Sequence, residues 1–220
     1  MSRTSIGMIL AVLLASCVSL ELPEGSGMGL VTWDREAPAG AETFPQPRWT
    51  PGDRYVYLRG NELRLPLRVE APAPGDPAGA QWILVDEDSG IRVAYTEGLG
   101  ELGQHKADAP LVTRVLAPMD AQFCWPLWVG KRWTCDFVSK SPGQDALPLL
   151  ASYHCDARET VTTPAGSFDC LRIWRRAHVM FPGTFLERVT VMWYSPQAGY
   201  VVRRLDDGIL LELAELQRQQ

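Results

Sequence analysis

From Trp49 onward, short runs of alternating apolar and polar residues predict β-strands. In NELRLPLRVE, for example, Leu63, Leu65, Leu67 and Val69 fall on one face of an extended chain, and the GN dipeptide before Leu63 is typical of a tight turn. We expect roughly ten strands joined by short connections. The predicted fold is an all-β antiparallel meander that forms an open or partly closed barrel, or a two-layer sandwich.

Two segments modify this pattern. Pro66 has no backbone N–H to donate, so its strand is expected at a sheet edge or at a bulge. Near the end of the chain, Leu210, Leu213 and Leu216 lie three residues apart, which predicts either a short helix or a further strand.

The first residues have the pattern of an export signal. Arg3 precedes IGMILAVLLA, a run of ten uncharged residues. Such a run is too short to span a bilayer, which takes about 20 apolar residues, but it fits the apolar region of a secretory signal. The sequence therefore predicts an exported protein.

The end of this run adds a resemblance. Leu14, Ala15, Ser16 and Cys17 resemble the lipobox of bacterial lipoproteins. The resemblance implies that residues 1–16 are a signal peptide and that Cys17 receives lipid, which would anchor the protein to a membrane. Val18 stands where inner-membrane lipoproteins often have Asp, so the resemblance favours the outer membrane, facing the periplasm or the cell surface. The alternative is an ordinary cleaved signal followed by a chance cysteine.

Residues 17–48 are rich in Gly, Pro and acidic residues and show no sustained period, which predicts a lipidated tether. Within it, the segment VTW could add a short strand. The predicted β-rich domain then covers residues 49–220.

Composition narrows the possible partners. The chain is 46% hydrophobic, which is typical of a globular protein, and it has 21 basic and 26 acidic residues. Loss of Arg3 with the leader would leave 20 basic residues and a net charge of −6. This mild acidity argues against a nucleic-acid partner, which would require clustered Lys and Arg. The RR pairs at 175–176 and 203–204 are interpreted as solvated strand faces, with one arginine of each pair pointing outward.

Four cysteines follow Cys17, and an exported chain folds where disulfides persist. We expect two bridges, Cys135 with Cys155 and Cys124 with Cys170. The first pair would lie on strands joined by the loop SPGQDALP. A metal site using these thiols with His154 is the rival interpretation, but no C-x-x-C or H-x-x-x-H spacing supports it, so no metal is expected.

Candidate chemistry is sparse. His105, His154 and His178 lie outside any recognised nucleophile motif, and the DED cluster at 86–88 lacks EF-hand spacing, so a solvated hairpin turn explains it. No nucleotide or dinucleotide fingerprint is present, and no cofactor is expected. Tryptophans near the cysteines favour core packing, while a cleft for an apolar ligand stays possible. The five tryptophans concerned are Trp125, Trp128, Trp133, Trp174 and Trp193.

Four segments of the domain, TPGDRYVY, WVGKRWTCDF, TVTTPAGSFDCLRI and VMWYSPQAGYVVR, carry a second resemblance. In this order they resemble an uncharacterised β-rich family of bacterial periplasmic proteins and lipoproteins, a domain of unknown function, over roughly residues 49–205. The resemblance implies no catalytic residues. The turn residues have a structural explanation, since Pro164 pre-sets its φ and Gly166 tolerates a left-handed backbone.

Together these features predict an envelope-anchored, non-enzymatic lipoprotein whose β domain is a binding or scaffold component of an envelope assembly. Its expected partners are the membrane, through the lipid on Cys17, and an envelope protein. The alternative is a carrier that holds a lipid or another apolar ligand in a β cleft. A hydrolase is the third hypothesis.

Overall fold

The computed structural model describes residues 30–32, 34–60, 63–106, 108–180, 183 and 186–219. These residues form thirteen strands and one short 3-10 helix, Pro110–Val112. The strands are β1 (Leu30–Thr32), β2 (Arg54–Arg59), β3 (Leu63–Glu70), β4 (Trp82–Asp86), β5 (Arg92–Tyr95), β6 (Glu101–His105), β7 (Arg114–Asp120), β8 (Arg132–Lys140), β9 (Leu147–Thr163), β10 (Gly166–Val179), β11 (Glu187–Ser195), β12 (Tyr200–Asp206) and β13 (Ile209–Gln217). The all-β prediction is confirmed, and residues 209–217 form a strand.

The sheet closes on itself. Each of the strands β2 to β13 pairs antiparallel with its neighbour around the ring, and β8 pairs with β9 from Arg132↔His154 to Ser139↔Leu147. This last ladder turns twelve strands into a closed barrel. The predicted partly closed barrel is therefore confirmed, and the sandwich alternative is wrong. Strand β1 pairs with the first part of β8, which β7 does not reach. Leu30 lies opposite Cys135, and Thr32 lies opposite Trp133.

The two ends of the barrel differ. At one end, which we call the open end, lie the β2–β3, β4–β5, β6–β7, β8–β9, β10–β11 and β12–β13 connections. At the other, which we call the closed end, extra segments cover the barrel, namely residues 34–53 before β2 and residues 121–131 between β7 and β8. One end of the barrel is thus covered by its own chain.

Aromatic packing seals the closed end. Trp49 is buried among Tyr55, Tyr95 and Tyr200, with edge-on ring contacts to Tyr95 and Tyr200 at centroid distances of 5.6 and 4.9 Å. Its indole N–H donates to the carbonyl of Gly199 at 2.9 Å, so the polar atom of this buried ring is satisfied.

The β7–β8 connection is the second part of this cover. Trp133 donates from Nε1 to the Ala121 carbonyl at 2.8 Å, and Lys131 donates from Nζ to the Pro126 carbonyl at 2.7 Å. The Lys131 ammonium also lies over the Trp128 ring, 4.2 Å from its centroid. Burial lowers the pKa of Lys131.

The long β9–β10 hairpin extends from the closed end of the barrel and folds against the outer face of β12 and β13. Arg203 donates to the Thr162 carbonyl at 2.7 Å, and Ala165 N–H donates to the Leu213 carbonyl at 3.1 Å. Trp193 donates to Glu159 at 2.6 Å beneath the same hairpin. Val201 and Val202 are therefore both buried, although neighbouring strand residues point to opposite faces.

The prediction that Pro66 places its strand at a sheet edge or at a bulge is wrong, because β3 has a neighbouring strand on each side. Strand β3 pairs with β2 over Leu63–Arg68 and with β4 over Leu67–Glu70, so it is an interior strand. Pro66 lies one residue before the β4 ladder begins, and its carbonyl accepts from Glu87 N–H at 2.9 Å. The end of pairing with β4 thus accommodates the missing donor.

Much of the predicted tether is attached to the barrel. Strand β1 pairs with β8, Phe44 exchanges backbone hydrogen bonds with Leu127, and Glu42 forms an ion pair with Arg158. The predicted signal peptide, Cys17 and tether residues 17–29 lie outside the described residues.

The structure does not contain the predicted disulfides. The thiols of Cys124, Cys135, Cys155 and Cys170 are all free and buried. The register explains why the first pairing fails, because Cys135 lies opposite Ala151, four positions from Cys155 along β9. At about 3.3 Å per residue this separates the two by about 13 Å, whereas a disulfide needs Cα atoms within about 7 Å.

The second predicted pair is also apart. The Cys170 thiol donates to the Phe168 carbonyl at 3.5 Å within the β9–β10 hairpin, while Cys124 lies in the β7–β8 connection near Lys131. Burial raises the pKa of Cys135, Cys155 and Cys170 to about 12, which keeps these thiols protonated and poorly reactive.

This arrangement predicts the outcome of a thiol titration on residues 17–220 with Cys17→Ala. The folded protein should react slowly with a thiol reagent at neutral pH, and the protein unfolded without reductant should release four thiols. A count of two or zero in denaturant would instead restore one or both bridges.

Candidate functional site

The barrel interior contains a cavity of about 650 Å³ at the open end, which we call the lumen. This volume lies within the range of small-molecule sites, about 300–1,000 Å³. Its apolar lining comes from the inner faces of five strands and from the β10–β11 connection. The side chains concerned are Val93, Leu116, Phe137, Leu147, Leu149, Ala177, Val179 and Leu186.

Polar side chains occupy the deep part of the lumen. They include two carboxylates, two arginines, an amide and, beside them, a phenol. We call this group the charge cluster: Glu101, Arg114, Asp120, Gln122, Tyr153 and Arg175.

Strand register places the two carboxylates together. Glu101 on β6 lies directly opposite Asp120 on β7, and the register shifts between this pair and the next, Gly103↔Val115. A side chain at Gly103 is excluded, because its Cβ would lie 2.0 Å from the Arg114 carbonyl oxygen, and its φ is +131°. Opposed like charges repel, so each carboxylate requires its own cation.

Asp120 takes Arg175 as its partner. Arg175 Nη2 lies 2.7 Å from Asp120 Oδ2, and its Nε donates to the Tyr153 hydroxyl at 3.1 Å. The Tyr153 hydroxyl in turn donates to Asp120 Oδ1. Burial by itself would lower the pKa of Arg175, but Tyr153 and Asp120 raise it above its ordinary value. The arginine is therefore fixed as a cation.

Glu101 takes the other arginine. Arg114 Nη2 lies 2.6 Å from Glu101 Oε1, and Gln122 donates to Oε2 at 2.8 Å. Both carboxylate oxygens are satisfied. The Arg114 Nε atom, however, is buried without a hydrogen-bond partner. One donor of the charge cluster thus lacks a hydrogen-bond partner.

Two further arginines lie nearer the open end. Arg204 lines the lumen from β12, and its guanidinium lies 3.3 Å from the Asp206 carboxylate. Asp206 also receives Arg188 at 2.7 Å. Burial would raise the pKa of Asp206, but the hydrogen bond from Arg188 and the charge of Arg204 outweigh it and hold that pKa below its ordinary value.

The lumen lining contains four arginines, at positions 114, 175, 188 and 204, and four carboxylates, at positions 101, 120, 187 and 206. Of the carboxylates, Glu187 pairs with Arg176 and His178, which are not lumen residues. An elongated ligand with an acceptor-rich end could receive hydrogen bonds from the arginines while its apolar part contacts the lining.

A second cleft of about 710 Å³ lies on the outer face of β8, β9 and β10. Its carboxylate already has partners, since Asp156 accepts from Trp174 at 3.1 Å and from Arg172 at 2.9 and 2.8 Å. We therefore place the candidate site in the lumen.

The histidines are dispersed. His105 Nε2 lies 3.1 Å from Asp76, His154 lines the outer cleft, and His178 lies 3.6 Å from Glu187. Among the described residues, no group of three or more His, Cys, Asp or Glu side chains could hold a metal ion.

The acidic cluster at 86–88 forms a hairpin turn, as expected. Asp86 accepts from the backbone N–H groups of Asp88 and Ser89, and Glu87 pairs with Arg54 at 2.8 Å. Of the five tryptophans near the cysteines, Trp128 and Trp133 are buried, while Trp125, Trp174 and Trp193 are half-buried. The lumen lining contains none of these five.

The interpretation of both RR pairs as solvated faces missed the most informative residues. Arg176 points outward, and Arg203 pairs with Glu212 outside the barrel. Arg175 and Arg204 point into the lumen, and the Arg175 side chain is only 12% exposed. Strand alternation was the available signal, since one residue of each adjacent pair must face inward.

Fold and site together define an all-β protein with a closed barrel, a cover at one end and a polar lumen at the other. The family described as DUF3108-like matches residues 153–204, which span β9 to β12. A comparison with curated proteins gives no match. Within the described part of the chain, no helix is long and apolar enough to cross a membrane.

Several solved structures are similar. The hypothetical lipoprotein YmcC from Escherichia coli is 13% identical, with 80% of this chain and 91% of that chain covered and a TM-score of 0.47. A candidate exported protein with a YmcC-like fold from Bacteroides fragilis is also 13% identical, with 81% and 100% covered and a TM-score of 0.39. A candidate lipoprotein from Parabacteroides distasonis is 13% identical, with 79% and 97% covered and a TM-score of 0.41.

Because the charge cluster is buried, we expect the loss of one of its carboxylates to lower stability more than the loss of a carboxylate from an exposed ion pair. Asp120→Asn leaves the buried Arg175 without its anion, and we expect the free energy of unfolding to fall by about 3 kcal/mol in urea titrations.

The matched control is Asp169→Asn, which removes the anion of an exposed ion pair with Arg158 and should change stability little. Equal effects of the two substitutions would show that the charge cluster is not buried as described.

Proposed function

We propose that this protein is an envelope-anchored binding protein that holds an anionic amphiphile in the lumen. The supporting observation is the combination of an apolar lining with deep, ordered arginines in a cavity that opens to solvent at one end. This favours the carrier hypothesis over a scaffold, since a scaffold has no need of an internal cavity.

Shape is the first argument. The closed end is filled by Trp49 and the segments that accompany it, so a ligand can enter only between the open-end connections. A cavity of about 650 Å³ accommodates a small amphiphile.

Chemistry is the second argument. Arg114 has a buried Nε without a partner, and Arg204 has only a long contact to Asp206. A carboxylate or phosphate placed between them would complete their hydrogen bonds, and bonds between charged partners are the stronger class. The apolar part of the ligand would then lie against Leu116, Phe137 and Leu149.

Location is the third element of the proposal. Leu14–Cys17 supports export and lipid attachment at Cys17, with placement at the outer membrane. A tethered binding protein of this kind would hold or pass on an amphiphile at the membrane surface. Catalysis is no part of the proposal.

Filling the lumen should abolish binding. Ala177 faces the lumen, so Ala177→Trp should weaken binding of a dansyl-labelled fatty acid at least about tenfold in a fluorescence titration. His178→Trp places the same ring outside the barrel, since neighbouring strand residues alternate, and should bind like the parent.

Near-ultraviolet circular dichroism and thermal unfolding would establish that both variants are folded. Undiminished binding by folded Ala177→Trp would contradict the assignment of the lumen as the site.

Charge should determine which amphiphiles bind. Arg204→Gln should weaken binding of the dansyl-labelled acid about tenfold, because a charge-assisted hydrogen bond is lost. The uncharged methyl ester of the same probe should bind the parent and the variant equally. If the ester and the acid lose affinity alike, Arg204 acts through packing and the anionic specificity is wrong.

A further inference from the structure

Exposed apolar side chains are concentrated at the open end. Among the described residues, nine large hydrophobic side chains are exposed, and eight of them lie within three residues of a strand terminus at that end. We call these eight the apolar rim: Leu63, Leu111, Val115, Val138, Met180, Leu186, Leu205 and Ile209. The ninth, Val129, lies in the β7–β8 connection at the closed end.

The most prominent members of the apolar rim are on separate connections. Leu111 is 84% exposed between β6 and β7, and Leu186 is 67% exposed between β10 and β11. Leu63 lies at the β2–β3 hairpin and Ile209 at the β12–β13 hairpin. Apolar groups therefore project at four of the six open-end connections. An apolar patch of this kind on a soluble domain usually marks a contact with a protein or a membrane.

The outer wall between the two ends has a different character. Ion pairs cover it, for example Arg54 with Glu87, Arg172 with Asp156 and Arg203 with Glu212. Apart from Val129, the large exposed apolar side chains of the described residues thus lie toward the end at which the lumen opens.

The path of the chain indicates that a membrane is the partner of the apolar rim. Strand β1 runs antiparallel to β8, with Leu30 nearer the open end than Thr32. Between Cys17 and Leu30 lie twelve residues, and such a length reaches at most about 45 Å. The first described residues therefore lead toward the open end, and a lipid on Cys17 would be able to reach a membrane on the side of the apolar rim.

We infer that the apolar rim docks on a lipid bilayer, with the lumen opening toward the membrane surface. The docked orientation places the lumen beside the source of amphiphiles, but the contact itself is separate from ligand binding. Apolar insertion should make the affinity for vesicles only weakly dependent on salt.

The test uses residues 17–220 with Cys17→Ala, so that no acyl chain contributes, and mixed vesicles of phosphatidylethanolamine and phosphatidylglycerol. The parent should sediment with vesicles, and Leu111→Glu or Leu186→Glu should lower its partition coefficient at least about tenfold. Val129→Glu makes the same change at the closed end and should bind like the parent.

A positional readout accompanies the partition measurement. An environment-sensitive fluorophore on Leu111→Cys should report an apolar medium when vesicles are added, whereas the same label on Val129→Cys should not. The Ala177→Trp variant should keep vesicle binding, so loss of the proposed ligand and loss of docking are distinguishable.

Three results would overturn the inference: no sedimentation of the parent, equal losses for Leu186→Glu and Val129→Glu, or label signals that are alike at both ends. A parent that dimerises in solution, with Leu111→Glu monomeric, would assign the apolar rim to a second copy and would also overturn it.

Discussion

The backbone ladder between β8 and β9 is the constraint on which the rest of the structure depends. It closes a sheet of twelve strands, and the diameter of a barrel grows with the number of strands. Side chains fill a barrel of about eight strands, so twelve strands leave interior volume that the wall cannot occupy. The protein fills one end of that interior with its own segments and leaves the lumen at the other end.

This constraint explains why the interior is divided. At the closed end, Trp49 and the β7–β8 connection supply large aromatic groups whose N–H donors find carbonyl partners. Deep in the lumen, the register of β6 and β7 places Glu101 opposite Asp120, and Arg114 and Arg175 neutralise them. Once these arginines are ordered in an apolar surrounding, they form a site suited to an acceptor group.

Local pattern predicted the strands well because alternation reports which residues face the interior. A barrel was among the predicted folds, but the strands that close it could not be predicted, because the pattern along the chain does not show that β8 pairs with β9. The disulfide prediction failed for the same reason, since register decides that Cys135 meets Ala151. The inward turn of Arg175 and Arg204 was accessible from alternation, but general expectations for charged residues favoured the solvated interpretation.

The most direct test of the account is a crystal structure of the protein with the dansyl-labelled fatty acid bound. The account predicts the carboxylate of the probe within hydrogen-bond distance of Arg114 or Arg204, and its apolar part against Leu116 and Phe137. A lumen closed by its own side chains, or a probe bound elsewhere on the protein, would contradict the claim that twelve strands leave a binding cavity.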